Sequence, residues 1–141
     1  MTPDQIFQLA SAAVLPGWLA LLLSPLAPKA ADLVAAMILP LLLALAYTGL
    51  ILAYWSGAPG GFGSLPDVIA LLSYPPTAVA GWVHFLAFDL FVGAWITRTA
   101  REQAIPHLLI LPCLALTFLF GPAGWLAFSL LRFTVSQRNS K

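Results

Sequence analysis

Residues 81–101 read GWVHFLAFDLFVGAWITRTAR, and fifteen of them are apolar or glycine. As a helix rising ~1.5 Å per residue, such a run is long enough to cross the roughly 30 Å hydrocarbon core of a bilayer. Arg98 and Arg101 close it, where cations suit both the helix dipole and lipid head groups. Yet His84 and Asp89 lie inside it. The rest of the 141-residue chain has the same character: 61% hydrophobic, 8% charged, with mean hydropathy +0.95. A soluble domain carries roughly a quarter charged residues. This chain cannot cover a water-facing surface, so it reads as one all-α integral membrane domain over 1–141.

Four segments are long enough to span: roughly 4–24, 32–55, 76–99 and 106–132. Together they predict a bundle of four transmembrane helices. Thr2, Pro3 and Gln5 form a capping signal at the first. Asp32 is a candidate cap for the second, Pro75-Pro76 opens the third and Pro106 the fourth. The first segment lacks the positive flank of a signal peptide, and its apolar run is long for one. The turns at 25–31 and 100–105 are short, which predicts antiparallel hairpins. The 56–75 connection is longer. Gly57, Gly60, Gly61 and Gly63 loosen its first half, and LPDVIALLS at 65–73 predicts a short helix lying in the interface. With four spans, Arg132, Arg138 and Lys141 fall on one side and Lys29, Arg98 and Arg101 on the other, so the positive-inside count is a tie.

Several functions are disfavoured. A net charge of +1 without a Lys/Arg cluster predicts no nucleic-acid partner. Cys113 is the single cysteine, so neither an internal disulfide nor a cysteine metal site is available. His84 and His107 fall at different depths, which argues against a bis-histidine haem. His84 and Asp89 alone are too few ligands for a metal.

Asp89 is therefore the residue to explain. An ionised carboxylate near the midplane is costly unless paired, so the expectation is that Asp89 faces the bundle interior and finds its partner on another helix. His84 precedes it by five residues, a rotation of ~140° and a rise of ~7.5 Å, so the two do not share a helix face. His84 lies on a stripe with Phe88, Phe91 and Trp95, and Asp89 on one with Trp82, Phe85 and Gly93. Such stripes serve packing more often than ligand binding, although aromatic faces would suit a flat polyene. Gln8 and Ser11 are candidate partners for Asp89 if the first helix packs on the third. Pro16, Pro40, Pro112 and Pro122 lie inside spans, and FGPAG at 120–124 predicts a kink.

Four blocks then carry a resemblance: ASAAVLPGWLALLLSPLAPKA at 10–30, LALAYTGLILAYW at 43–55, WVHFLAFDLFVGAW at 82–95 and FLFGPAGWLAFSLLR at 118–132. With its W-x-H-x4-D-L-F and F-x-P-x-G elements, the chain resembles the abscisic-acid-deficient-four-like family of small membrane proteins, whose plant member is needed for neoxanthin synthesis. The resemblance implies carotenoid chemistry, in which an epoxide opens and an allene forms, with no metal or organic cofactor. Epoxide opening needs an acid and a base, and Asp89 and His84 are the buried titratable candidates, as acid and as base or polariser. A second expectation is a non-enzymatic subunit that holds a carotenoid or docks on a larger membrane complex or a second copy of itself. A proton path through Asp89 is the weakest. The short, alanine- and leucine-rich chain predicts a bacterial inner-membrane location.

Overall fold

The computed structural model describes residues 1–139, with side chains to 135; it is all-α, without a strand among those residues. Helix α1 (Pro3–Leu22) begins as the capping signal predicts. The Gln5 backbone N–H donates to Thr2 Oγ1 at 3.3 Å, and the Thr2 N–H donates to Gln5 Oε1 at 2.9 Å.

The second apolar run is continuous over Pro28–Gly57 and starts four residues before the expected cap. It comprises α2 (Pro28–Leu33), a π-turn at Val34–Ile38 and α3 (Leu39–Tyr54), closed by a 3₁₀ turn. Pro28 takes the first helical position, so Asp32 is not a cap. Its Oδ2 accepts from Arg101 Nη2, which ties this helix to the end of α5. Pro40 is the physical cause at hand for the π-turn. It lacks an N–H and its ring crowds the carbonyl four residues back; widening the preceding turn relieves both, and the Leu39 N–H donates to the Val34 carbonyl instead.

Helix α4 (Leu65–Ser73) has the bounds the sequence predicts, capped by Ser64, whose Oγ accepts from the Asp67 N–H. Helix α5 (Pro75–Glu102) has 28 residues and is the centre of the fold. It packs against α1, α3, α4, α6 and α7, and its Val83, Leu90 and Ile96 are wholly buried. Between lipid-like neighbours association rests on close van der Waals packing, which favours small residues at the contact. Gly93 is such a position: a Cβ there would stand 2.8 Å from the Trp18 ring of α1. Gly17 is another, hard against Leu90.

The segment expected to be the fourth span is two helices, α6 (His107–Phe120) and α7 (Pro122–Asn139), separated at Gly121. Gly121 has φ +41°, a backbone conformation open to glycine, and Pro122 offers no N–H to continue α6. The kink expected at FGPAG is thus a full reversal. Gly124 lies directly on the α6 backbone at Cys113 and Thr117, whereas a continuous helix would put Gly124 and Cys113 about 16 Å apart. Beyond the turn α7 runs alongside α5 in the same direction. Gly121 meets Asp89, the Phe128 and Trp95 rings are 5.7 Å apart, and Arg132 lines a recess with Gln103. At 14 residues α6 climbs only ~21 Å, to the depth of Asp89, before the chain turns back. Among the described residues three helices, α1, Pro28–Gly57 and α5, are long and apolar enough to cross a membrane.

The α1–α5 contact at Gly93 gives a direct test. Gly93→Ala forces the Trp18 ring away while Phe118 holds its other side at 5.3 Å, edge to face. We expect a loss of about 1–3 kcal/mol, typical of overpacking, measured as a lower midpoint of thermal unfolding in detergent.

Candidate functional site

Asp89 sits midway along α5, half-buried, with its carboxyl against the α6–α7 turn. Two requirements therefore coincide at Gly121. Its positive φ favours glycine, and a Cβ would overlap Asp89 Oδ1. The turn is held by its own backbone. The Gly121 N–H donates to the Thr117 carbonyl at 2.9 Å, and the Gly121 carbonyl accepts from Gly124 at 3.0 Å. Asp89 thus lies beside the N-terminal end of α7, where the partial positive charge of a helix favours a carboxyl group. The expected placement of Asp89 is met only in part: the carboxyl is half-buried against a turn between two other helices, but among the described residues it accepts no hydrogen bond.

His84 points elsewhere. It is exposed, its ring stacks on Phe88 at 4.7 Å, and Tyr47 of α3 is 5.4 Å away. Phe85 meets it edge to face. The helical rotation between His84 and Asp89 thus separates their surroundings: one faces the α3 side, the other the α6–α7 turn.

Ser11 serves a different residue from the expected one. Its Oγ accepts from Trp82 Nε1 at 2.9 Å, with Phe7 packed on the same indole. That link joins α1 to α5 about 10 Å above Asp89. His107 is at the far end of the bundle, where its Nε2 donates to the Leu22 carbonyl at 3.0 Å and ties α6 to the end of α1.

Two apolar grooves flank the site. One, of about 740 Å³, runs between α1 and α6, walled by Leu15, Trp18, Leu22, Leu111 and Phe118. Its inner wall leads toward Asp89: Trp18 packs on Gly93, one turn after Asp89, and Phe118 is three residues before Gly121. The other, of about 350 Å³, lies beside the π-turn between Met37, Pro40, Ala44, Ala87, Phe88 and Phe91. It shares Phe88 with His84. Neither the Asp89–Gly121 pairing nor the Tyr47–His84 pairing was foreseen. FGPAG was a signal for the first; nothing local marks the second.

A half-buried carboxyl inside a bundle of long apolar helices defines a membrane protein with a polar centre at depth. The chain belongs to the ABA DEFICIENT 4-like family, whose family model matches residues 5–128. No curated protein and no solved structure matches it.

The site predicts a coupling between two residues 32 positions apart in sequence. Gly121→Ala is expected to cost about 1–3 kcal/mol through strain at positive φ and collision with the carboxyl. In an Asp89→Ala background only the backbone part of that cost remains. A double-mutant cycle by thermal unfolding should therefore show the double variant less destabilised than the sum of the two single variants; strict additivity would mean that the two residues do not touch.

Proposed function

We propose that this protein acts within the bilayer on a carotenoid or related long polyene lipid, with Asp89 as the proton-transfer group. The observation that supports the reading is the placement of Asp89 midway along α5, set against the backbone turn at Gly121, with an apolar groove of about 740 Å³ between α1 and α6 whose Trp18 packs on Gly93, one turn after Asp89. Aromatic walls at Trp18 and Phe118 would pack on such a chain, with its polar end group directed toward Asp89 in the proposed pose.

The proposed chemistry is an isomerisation. For an epoxide end group, a protonated Asp89 donates to the epoxide oxygen as the C–O bond breaks. A base then removes a proton from carbon to form the new double bond, so atoms balance without a redox partner. The expected acid–base pair is revised by the geometry. Because His84 faces Tyr47 and Phe88, its proposed role is to polarise or orient the polyene on the α3 side, not to share one reacting atom with Asp89. Asp89, once deprotonated, is itself the base in a two-step scheme. The proposed location is a bacterial inner membrane.

A second reading has its own support. Phe85, Phe88 and Phe91 are 60%, 58% and 51% exposed on α5. A row of bare rings suits a subunit that holds a carotenoid or docks on a larger membrane complex or a second copy without altering the pigment.

Asp89→Asn separates the two. Asparagine keeps the size of the side chain and fits against Gly121, so expression and unfolding midpoint should stay near those of the parent. If Asp89 transfers protons, pigment conversion in carotenoid-producing cells falls by at least a hundredfold, the scale of general acid–base catalysis. Pigment turnover that survives the substitution removes the catalytic reading, and co-purification of unaltered pigment with both proteins supports the holding subunit.

A further inference from the structure

The reversal at Gly121 changes which face of the membrane each cation occupies. Lys29 lies in the first turn of α2, at the end of the bundle where Arg101 meets Asp32 and His107 meets Leu22. Arg98 and Arg101 are in the last turns of α5 at that same end. Because α7 returns beside α5, Arg132 comes to this end as well, its guanidinium 5.9 Å from the Trp95 ring. Arg132 is eleven residues past Gly121, ~16 Å along the helix, and Arg98 is nine past Asp89, ~13.5 Å; both reach the boundary of a 30 Å core on the same side. The α7 backbone carries Arg138 further out in the same direction, and Lys141 lies outside the described residues.

The opposite end holds residues 1–3 with the first turn of α1, and the 55–74 connection with α4. Its charged side chains are Asp4 and Asp67, and it contains no Lys or Arg. The three-against-three tie expected for four spans thus becomes a one-sided distribution. Cationic flanks of spanning helices are retained on the cytoplasmic side, and acidic residues weigh little in that balance.

We propose that the end bearing Lys29, Arg98, Arg101 and Arg132 is the cytoplasmic face, docked on the anionic head groups of that leaflet, while residues 1–3 and the α4 connection face the other side and α6–α7 form a hairpin that enters and leaves the bilayer from the cytoplasm. The charge sets the partner: juxtamembrane cations are drawn to an anionic leaflet. The recess of about 280 Å³ between Gln103, Ser129, Arg132 and Phe133 offers a head group one guanidinium and one amide, the Ser129 hydroxyl being engaged with the Trp125 carbonyl. The Trp55–Phe62 pair, 5.3 Å apart at the opposite end, is an aromatic anchor suited to the other interface. None of this depends on Asp89 being catalytic.

The test uses single cysteines at Gly61, Gln103 and Thr134 in a Cys113→Ala background, in right-side-out membrane vesicles, with a membrane-impermeant maleimide. Gly61→Cys should label directly, and Gln103→Cys and Thr134→Cys only after permeabilisation. Thr134→Cys labelling together with Gly61→Cys would overturn the hairpin and restore four spans. Labelling of Gln103→Cys with protection of Gly61→Cys would overturn the orientation. The lipid partner is read separately by native mass spectrometry of the extracted protein. Phosphatidylglycerol should be retained severalfold over phosphatidylcholine, and Arg98→Gln/Arg132→Gln should lose that preference. Equal retention of the two lipids by the unsubstituted protein would overturn the head-group contact.

Discussion

Much of this structure follows from the contact between Asp89 and Gly121. In hydrocarbon every backbone polar group must find a partner inside the protein, and irregular backbone is tolerated only where protein covers it. A chain reversal at mid-depth is therefore costly in isolation. Here the turn closes its own bonds through Thr117, Gly121 and Gly124, and Asp89 covers its outer side. The glycine satisfies both the positive φ and the approach of the carboxyl. The turn in turn sets the N-terminal end of α7, with its partial positive charge, beside the carboxyl, although no hydrogen bond joins the two among the described residues. Each feature removes part of the cost of the other, and the course of α7 along α5 follows from that pairing.

Helix α5 is the scaffold on which this is built. Its wholly buried Val83, Leu90 and Ile96 hold the neighbouring helices, while Gly93 admits Trp18 of α1. The polar links lie at the two ends of the bundle, Trp82 to Ser11 at one and Arg101 to Asp32 and His107 to Leu22 at the other. The middle is left to packing and to Asp89. This division of labour suits a bilayer, where the ends are wet and the centre offers no solvent to satisfy a stray polar group.

Helical class, the first helix with its capping box, the bounds of α4 and the long central helix were legible in the sequence because they are local. Capping pairs, prolines at first helical positions and apolar runs act over a few residues, and the family is carried by contiguous blocks. The start of the second helix was misplaced because Asp32, a good cap by type, is instead drawn across the bundle to Arg101, 69 residues away. The fourth segment was misread for a related reason. A run of apolar residues around FGPAG is compatible with a kinked span or a hairpin, and hydropathy is blind to the difference. The choice is made by Gly124 fitting on the Cys113–Thr117 backbone and Phe128 packing on Trp95, both non-local. At the candidate site the separation of His84 and Asp89 was legible from helical rotation alone, whereas their neighbours Tyr47 and Gly121 come from other helices.

The central claim is that the chain turns back at Gly121 and does not continue across the membrane. Disulfide cross-linking between Gln103→Cys and Phe133→Cys, in a Cys113→Ala background, tests it most directly. The two positions line one recess, and oxidation should join them readily, seen as a faster-migrating monomer on non-reducing gels. Were 107–133 one continuous helix, they would lie about 40 Å apart and no intramolecular bond would form under any oxidant. That absence, in protein shown to be folded, would contradict the account.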